Sequence, residues 1–326
     1  MKAIVYPKYG PPEVLEFREV GKPAPKENEV LVKVHAASVN AMDYRFLRGE
    51  AFAARLFAGL RRPRNKFLGA DIAGRVEAVG RSAKQFQPGN EVFGGGRGSF
   101  AEYACVREDR LVLKPGDMPF EDAAAFPVAG LTALQALRDK GRIQPGQRVL
   151  IQGAGGGVGT FAVQIAKSFG AEVTAVCGPG NLDVVRSLGA DHVFDYTQED
   201  FTKNGQRYDL ILAVNGYHSI FAYRRSLSPG GIYVVAGGSL AQIFQGLLLG
   251  PAVSIFGKKK LGGMLARIDQ KDLGVLIELY RSGKVKPAID RRYPLGEVAE
   301  AFRYLEEGHA RGKVVITVEQ SHPTGG

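Results

Sequence analysis

The chain has 326 residues, 45% hydrophobic and 23% charged, the composition of a folded globular protein of two domains and not of a disordered, collagen-like or coiled-coil chain. Its two cysteines, Cys105 and Cys177, are too few for a disulfide framework or a four-cysteine zinc site. Lys and Arg number 43 against 33 Asp and Glu, a formal charge of +10, yet there is no nucleic-acid-binding motif and no Trp.

Basic residues cluster at 61–66 and again at Lys258-Lys259-Lys260. These clusters read as solvated surface, with phosphate or lipid contact as the other reading. Met1-Lys2-Ala3-Ile4-Val5-Tyr6 reads as a strand from the first residue, with no apolar leader, so a cytoplasmic protein is expected. Strand composition recurs at Glu29–Ala37, Ala73–Gly80, Gln87–Phe93 and Phe100–Val106. Short strands punctuated by Gly and Pro predict a barrel-like unit.

The rhythm changes near Phe120. Glu121–Leu137 is Ala/Leu-rich and predicts one long helix. Strands and helices then alternate: Arg148–Gln152, helix Val158–Phe169, Glu172–Cys177, helix Leu182–Leu188, His192–Asp195, Asp209–Val214 and Gly231–Ala236. Near-continuous apolar strands between helices predict a doubly wound parallel sheet over 123–262. Helices at Asp272–Ser282 and Leu295–Glu307 and a strand at Lys313–Val318 follow. This tail is expected to complete the first domain, giving 1–122 with 263–326 around an inserted 123–262.

Strand Arg148–Gln152 runs into Gly153-Ala154-Gly155-Gly156-Gly157-Val158-Gly159 and then a helix. Strand, glycine turn and helix in that order predict a dinucleotide site. Gly156 lets backbone approach a pyrophosphate, Gly159 lets the helix close on the sheet, and the helix N-terminus faces the phosphates. A cofactor with a free ribose hydroxyl usually meets an acid after the second strand. Here Val176-Cys177-Gly178-Pro179-Gly180-Asn181 has no acid, and no Arg or Lys either. NADP(H) is therefore favoured over NAD(H).

Several stretches carry a resemblance: Met1–Val5, Val39–Arg45, Leu68–Gly74, Pro88–Phe93, Ala129–Ala133, Gly155–Gly159 and Gly312–Val315. Together, and in this order, they resemble the zinc-free quinone oxidoreductase-like branch of the medium-chain dehydrogenase/reductase superfamily. The resemblance implies an α/β protein with a GroES-like β-barrel catalytic domain and a Rossmann domain. It also implies cofactor-binding roles for Thr132, Gly155, Gly156, Gly157, Val158, Gly159, Tyr196, Asn215, Gly216, Ala236, Gly237 and Lys313. Tyr196 matches a tyrosine near the adenosine 2′-phosphate, and Thr132 one near the nicotinamide amide. The chain departs from its relatives at Gly178-Pro179-Gly180, where they carry Ser, Thr, Arg or Lys.

The zinc-dependent relatives need an early Cys and a His-Glu pair. This chain has Asn40 and Ala70-Asp71 there, and its five histidines (His35, His192, His218, His309 and His322) are scattered. No metal is expected. Without a Lewis acid, hydride transfer to a quinone or α,β-unsaturated carbonyl stays feasible, because the acceptor delocalises the charge. Such an enzyme needs positioning and a donor at the acceptor oxygen. Asn40 and Tyr44 are the candidate donors, and Asp43 the residue that orients them.

Two apolar stretches, 51–60 with Phe52, Leu56, Phe57 and Leu60, and Leu240–Phe256, read as walls for a small hydrophobic substrate. Core packing, contact between two copies in a homodimer, or peripheral membrane contact are the alternatives. A zinc-free alcohol or aldehyde dehydrogenase and a low-turnover NADP(H)-binding adaptor or redox sensor remain the competing functions.

Overall fold

The computed structural model describes residues 1–50, 55, 59–255, 258–308 and 310–318. Phe52, Leu56 and Phe57 of the first apolar stretch, Phe256 of the second, and His309 and His322 lie outside the described residues.

β1 (Lys2–Val5) and β2 (Glu16–Glu19) form an antiparallel pair. β3 (Glu29–Val39) follows, then β4 (Asp71–Val79), β5 (Glu91–Gly95), β6 (Tyr103–Arg107) and β7 (Leu111–Leu113). β3 is the organising strand. Its Glu29–Lys33 half pairs with β6, and β4 runs antiparallel along it from Val30 to Ser38. Two register shifts, at Leu31/Val32 and Val34/Ala36, break the ladder with β4. Irregularities of this kind bend and twist a strand.

The chain next builds a six-stranded sheet. β8 (Arg148–Gln152), β9 (Glu172–Cys177), β10 (His192–Asp195), β11 (Tyr208–Ala213), β12 (Leu227–Val235) and β13 (Lys260–Gly263) lie in the order β10-β9-β8-β11-β12-β13. Every pairing is parallel. The central strands are buried nearly throughout, as their apolar runs require. Chain order reverses between β8 and β11, the place where open parallel sheets bind ligands.

β14 (Ile289–Pro294) and β15 (Lys313–Thr317) return to the first sheet, whose order is β14-β15-β3-β4-β5-β7 with β6 also on β3. β15 pairs with the Ala36–Val39 end of β3. The chain divides into two units. One takes in the described residues of Met1–Val128, Ile268–Gly274 and Ile289–Gly326, the other Ala129–Arg267 and Val275–Ala288. Residues 275–288, read with the first domain from sequence, group here with the parallel sheet.

The long helix expected over 121–137 is broken. Helix Phe120–Ala125 stops at Phe126, and helix Pro127–Gln135 starts anew. Pro127 has no N–H to donate to the preceding turn, so the hydrogen-bond ladder breaks there although Phe126 keeps helical dihedrals. Among the described residues no helix is long and apolar enough to cross a membrane. Cys105 and Cys177 are free, and burial pushes both thiols up to about 11.

The tail helix Val298–Glu306 buries Val298, Ala301 and Phe302 in the first unit's core, where Phe302 meets Phe100 edge-on at 5.9 Å. Phe302 has no exposed surface. Phe302→Ala should therefore cost about 3–5 kcal/mol of stability. Denaturant unfolding checks this, and an unchanged midpoint would remove the tail helix from the core.

Candidate functional site

In the first unit the ladders bring three distant residues together. β3 ends at Val39, and Asn40 opens helix Ala41–Arg48. The Asn40 N–H donates to Asp43 Oδ2 at 2.9 Å, half of a capping box. Asp71 begins β4 directly across from Ser38, and Lys313 begins β15 beside the β3 end. Asp71 Oδ2 accepts from Ser38 Oγ at 2.5 Å and from Asn40 Nδ2 at 2.8 Å, and lies 3.3 Å from Lys313 Nζ. Lys313 Nζ donates to Asn40 Oδ1 at 2.7 Å and more weakly to the Val39 carbonyl at 3.4 Å. Asp71 Oδ1 accepts from the Val128 N–H at 2.8 Å, a donor freed by the helix break at Pro127.

All five side chains, Ser38, Asn40, Asp43, Asp71 and Lys313, are buried. A buried ammonium needs a paired charge and hydrogen bonds, and Asp71 with Asn40 supplies them. The arrangement limits Asn40. Both its amide hydrogens point inward, to Asp71 and to the Ser38 carbonyl. It therefore has no hydrogen left to donate to an acceptor, and its carbonyl oxygen takes Lys313 and faces the Asp43 N–H in the other half of the capping box. Tyr44 is half-buried against the core, and its hydroxyl is outside the network. Burial, with the Asp71 carboxylate second, pushes Asp43 up to about 7.

Among the described residues no group of three or more His, Cys, Asp or Glu could hold a metal ion. His35 stacks on Phe120, His192 meets Glu172, and His218 packs on Phe201 and Tyr223.

In the second unit, Gly153 follows β8 at φ +81°, and Gly156 caps helix Gly157–Ser168 without a side-chain partner. A Cβ on Gly159 would lie 2.2 Å from the Gly153 carbonyl oxygen, so only glycine lets helix and turn close. A Cβ on Gly156 would meet nothing nearer than 3.7 Å. Packing does not demand that glycine; the open face over a helix N-terminus is what a pyrophosphate needs. The residues present fit a dinucleotide.

The neighbouring strand ends surround this turn. Gly153 abuts Asn215, and Gly155 abuts Asn181, whose Oδ1 is buried without a partner. Tyr196 is exposed and lies over Gly178 after β9. Gly216 has φ +98° and Gly237 φ +156°, at the ends of β11 and β12. The Ala236 N–H donates to Ala213. Thr132 is buried on helix Pro127–Gln135.

Sequence reasoning missed what lies behind these turns. Gln152 Oε1 accepts from Tyr223 at 2.6 Å, and Gln152 Nε2 packs on Gly216. The described part of the apolar stretch Leu240–Phe256 does not bury its apolar residues as core packing would. Leu240, Phe244, Leu247, Leu248 and Leu249 are exposed, while Gln242 and Gln245 are buried. The signal was present: two glutamines three residues apart inside an apolar run occupy one helix face.

Comparison with known proteins bears on the same residues. Residues 26–116 match the family described as alcohol dehydrogenase GroES-like domain, and residues 188–316 that described as zinc-binding dehydrogenase. The chain is 34% identical to the chloroplastic quinone-oxidoreductase QR1 of Triphysaria versicolor, over 97% of this chain and 98% of that one. It is 36% identical to the 2-methylene-furan-3-one reductase of Solanum lycopersicum, over 97% and 79%. The structure of the quinone oxidoreductase from Coxiella burnetii superposes with a TM-score of 0.87 at 31% identity, over 98% and 99%.

The raised Asp43 carboxyl has a consequence for stability. Folded, it keeps its proton to about pH 7, whereas the ordinary value is 3.8. Between those values the folded state binds more protons than the unfolded one, so this group's contribution falls as pH rises from about 4 to about 7. Asp43→Asn keeps an acceptor for the Asn40 N–H and should flatten that part of the stability–pH profile. Parallel thermal-unfolding profiles for the two proteins would refute it.

Proposed function

We propose that this chain, which belongs to the quinone oxidoreductase-like branch of the medium-chain dehydrogenase/reductase superfamily, catalyses NAD(P)H-dependent reduction of a quinone or α,β-unsaturated carbonyl without zinc. The observation that carries the reading is the Asn40–Asp71–Lys313 cluster. Asn40 stands where zinc-dependent relatives place a cysteine. Lys313 sets a positive charge 2.7 Å from Asn40 Oδ1 and 3.3 Å from Asp71 Oδ2. A divalent ion beside these groups would meet a like charge.

Gly155–Gly159 would hold the pyrophosphate, with Tyr196 at the adenosine end. Asn215, Gly216, Ala236, Gly237 and Thr132 would serve the nicotinamide side. NADPH is the favoured cofactor, because no acid after β9 repels a 2′-phosphate. When bound, the nicotinamide supplies the hydride.

The protein's own part is positioning and charge stabilisation. Asn40, fixed by Lys313 and Asp71, anchors the junction between β3 and the helix after it. Tyr44 retains a phenolic hydrogen and is the donor to the acceptor oxygen, where charge develops as hydride arrives. Asp43 holds the Asn40 backbone and so fixes the start of the helix that carries Tyr44. A quinone spreads the developing charge over its ring, and solvent can protonate the product. An enal depends more on the donor.

An oxidation screen tests the reaction: NADPH and NADH with quinones, enals and simple ketones, with and without chelator. Quinone or enal turnover, NADPH bound at least as tightly as NADH, and indifference to chelator are expected. Loss of activity on chelation would overturn the zinc-free reading, and turnover of simple ketones alone would overturn the acceptor class.

A second experiment addresses the donor. Tyr44→Phe should lower turnover by about 10²–10⁴ on an enal and less on a quinone, with NADPH affinity unchanged. Equal activity on both acceptors would remove Tyr44 from the chemistry.

A further inference from the structure

The segment after β12 exposes apolar side chains and buries polar ones. Helix Leu240–Phe244 continues into a π-helical turn, Gln245–Leu249, and then helix Gly250–Ser254. Its leucines and Phe244 face outward while its two glutamines face in. Burying a glutamine costs free energy unless its amide finds partners. π-turns inside helices concentrate at functional sites.

Gln245 finds three partners, all in one loop. Its Oε1 accepts from the Ile220 N–H at 3.1 Å and from the Tyr217 hydroxyl at 3.3 Å. Its Nε2 donates to the His218 carbonyl at 3.1 Å. That loop begins at Asn215-Gly216, two residues past the end of β11. Gly216 is left-handed at φ +98° and is backed by Gln152, whose Oε1 accepts from Tyr223 at 2.6 Å. The same segment reaches the turn after β12, where Gln242 lies against Gly238 so closely that a Cβ there would overlap its Oε1.

We propose that Gln245 is a positioning residue for the cofactor. One side chain bolts the 240–249 segment onto the 217–220 loop and thereby holds Asn215 and Gly216 in the conformation that the nicotinamide end requires. The inference rests on the assignment of Asn215 and Gly216 to that end. Gln245 acts through the loop and touches no reacting atom. The pyrophosphate turn at Gly153–Gly159 has constraints of its own, the Gly159 contact and the φ of Gly153, and it meets the segment after β11 where Gly153 abuts Asn215, ahead of the residues that Gln245 holds.

That separation gives the test. Gln245→Met keeps the length and apolar bulk and loses all three hydrogen bonds. Its affinity is measured calorimetrically for NADPH and for adenosine 2′,5′-bisphosphate, a fragment with no nicotinamide riboside. NADPH binding should weaken roughly tenfold or more, from the loss of three bonds at about 1 kcal/mol each, while the fragment binds as before. Gln245→Glu, which keeps the two accepted bonds, should recover part of the loss. Equal weakening of both ligands means general loosening of the unit, and unchanged NADPH affinity means an inert loop; either overturns the proposal. Gly156→Asp is the control, and it should abolish binding of both ligands. If the unaltered protein binds neither ligand, the cofactor assignment itself falls, an outcome separate from the behaviour of Gln245→Met.

Discussion

Lys313 brings into the first unit a charge that cannot be left unpaired. Its side chain is 2% exposed, and the Asp71 carboxylate beside it is fully buried. Replacing either partner would strand the other, at a cost of about 3–5 kcal/mol. The pair therefore requires β15, β3 and β4 to keep their register, because a one-residue slip would turn Lys313 or Asp71 to the opposite face. It also fixes Asn40, whose amide bridges the two charges. The helix that follows, with Asp43 and Tyr44, starts from that fixed point.

The second unit is governed by a different constraint, close backbone approach. Gly159 must lack a side chain for the helix to sit on the turn after β8. Gly153 packs on Asn215 and Gly216 on Gln152, so the turns after β8 and β11 shape one another. Open backbone at Gly156 remains beside these crowded positions. A surface of N–H groups with no side chain in front of it suits a phosphate, and the crowding around it keeps that surface rigid.

Much of this was legible in the residues. The alternation of apolar strands and helices after Phe120 announced the parallel sheet, since strands buried on both faces have no polar side to show. The glycine turn was legible because its context, strand before and helix after, is local. Asn40 and Ala70-Asp71 stood out as departures from a zinc-ligand pattern. The break at Pro127 was a local signal too, passed over because the flanking Ala and Leu residues favour helix strongly.

Periodicity and local motifs thus determined the fold class, the candidate dinucleotide turn and the residues around Asn40. Tertiary structure decided how those residues are used. Asn40 carries two amide hydrogens in any sequence, but only the approach of β4 commits one of them to Asp71, and only that of β15 commits its oxygen to Lys313. Apolar character left 240–256 open between a substrate wall, core packing, a homodimer contact and a membrane contact. The structure leaves its leucines exposed and buries Gln245, whose amide is satisfied on the 217–220 loop. Hydrogen-bond partners far apart in sequence leave no periodic trace along the chain, and burial of a polar group is settled by where its partners lie.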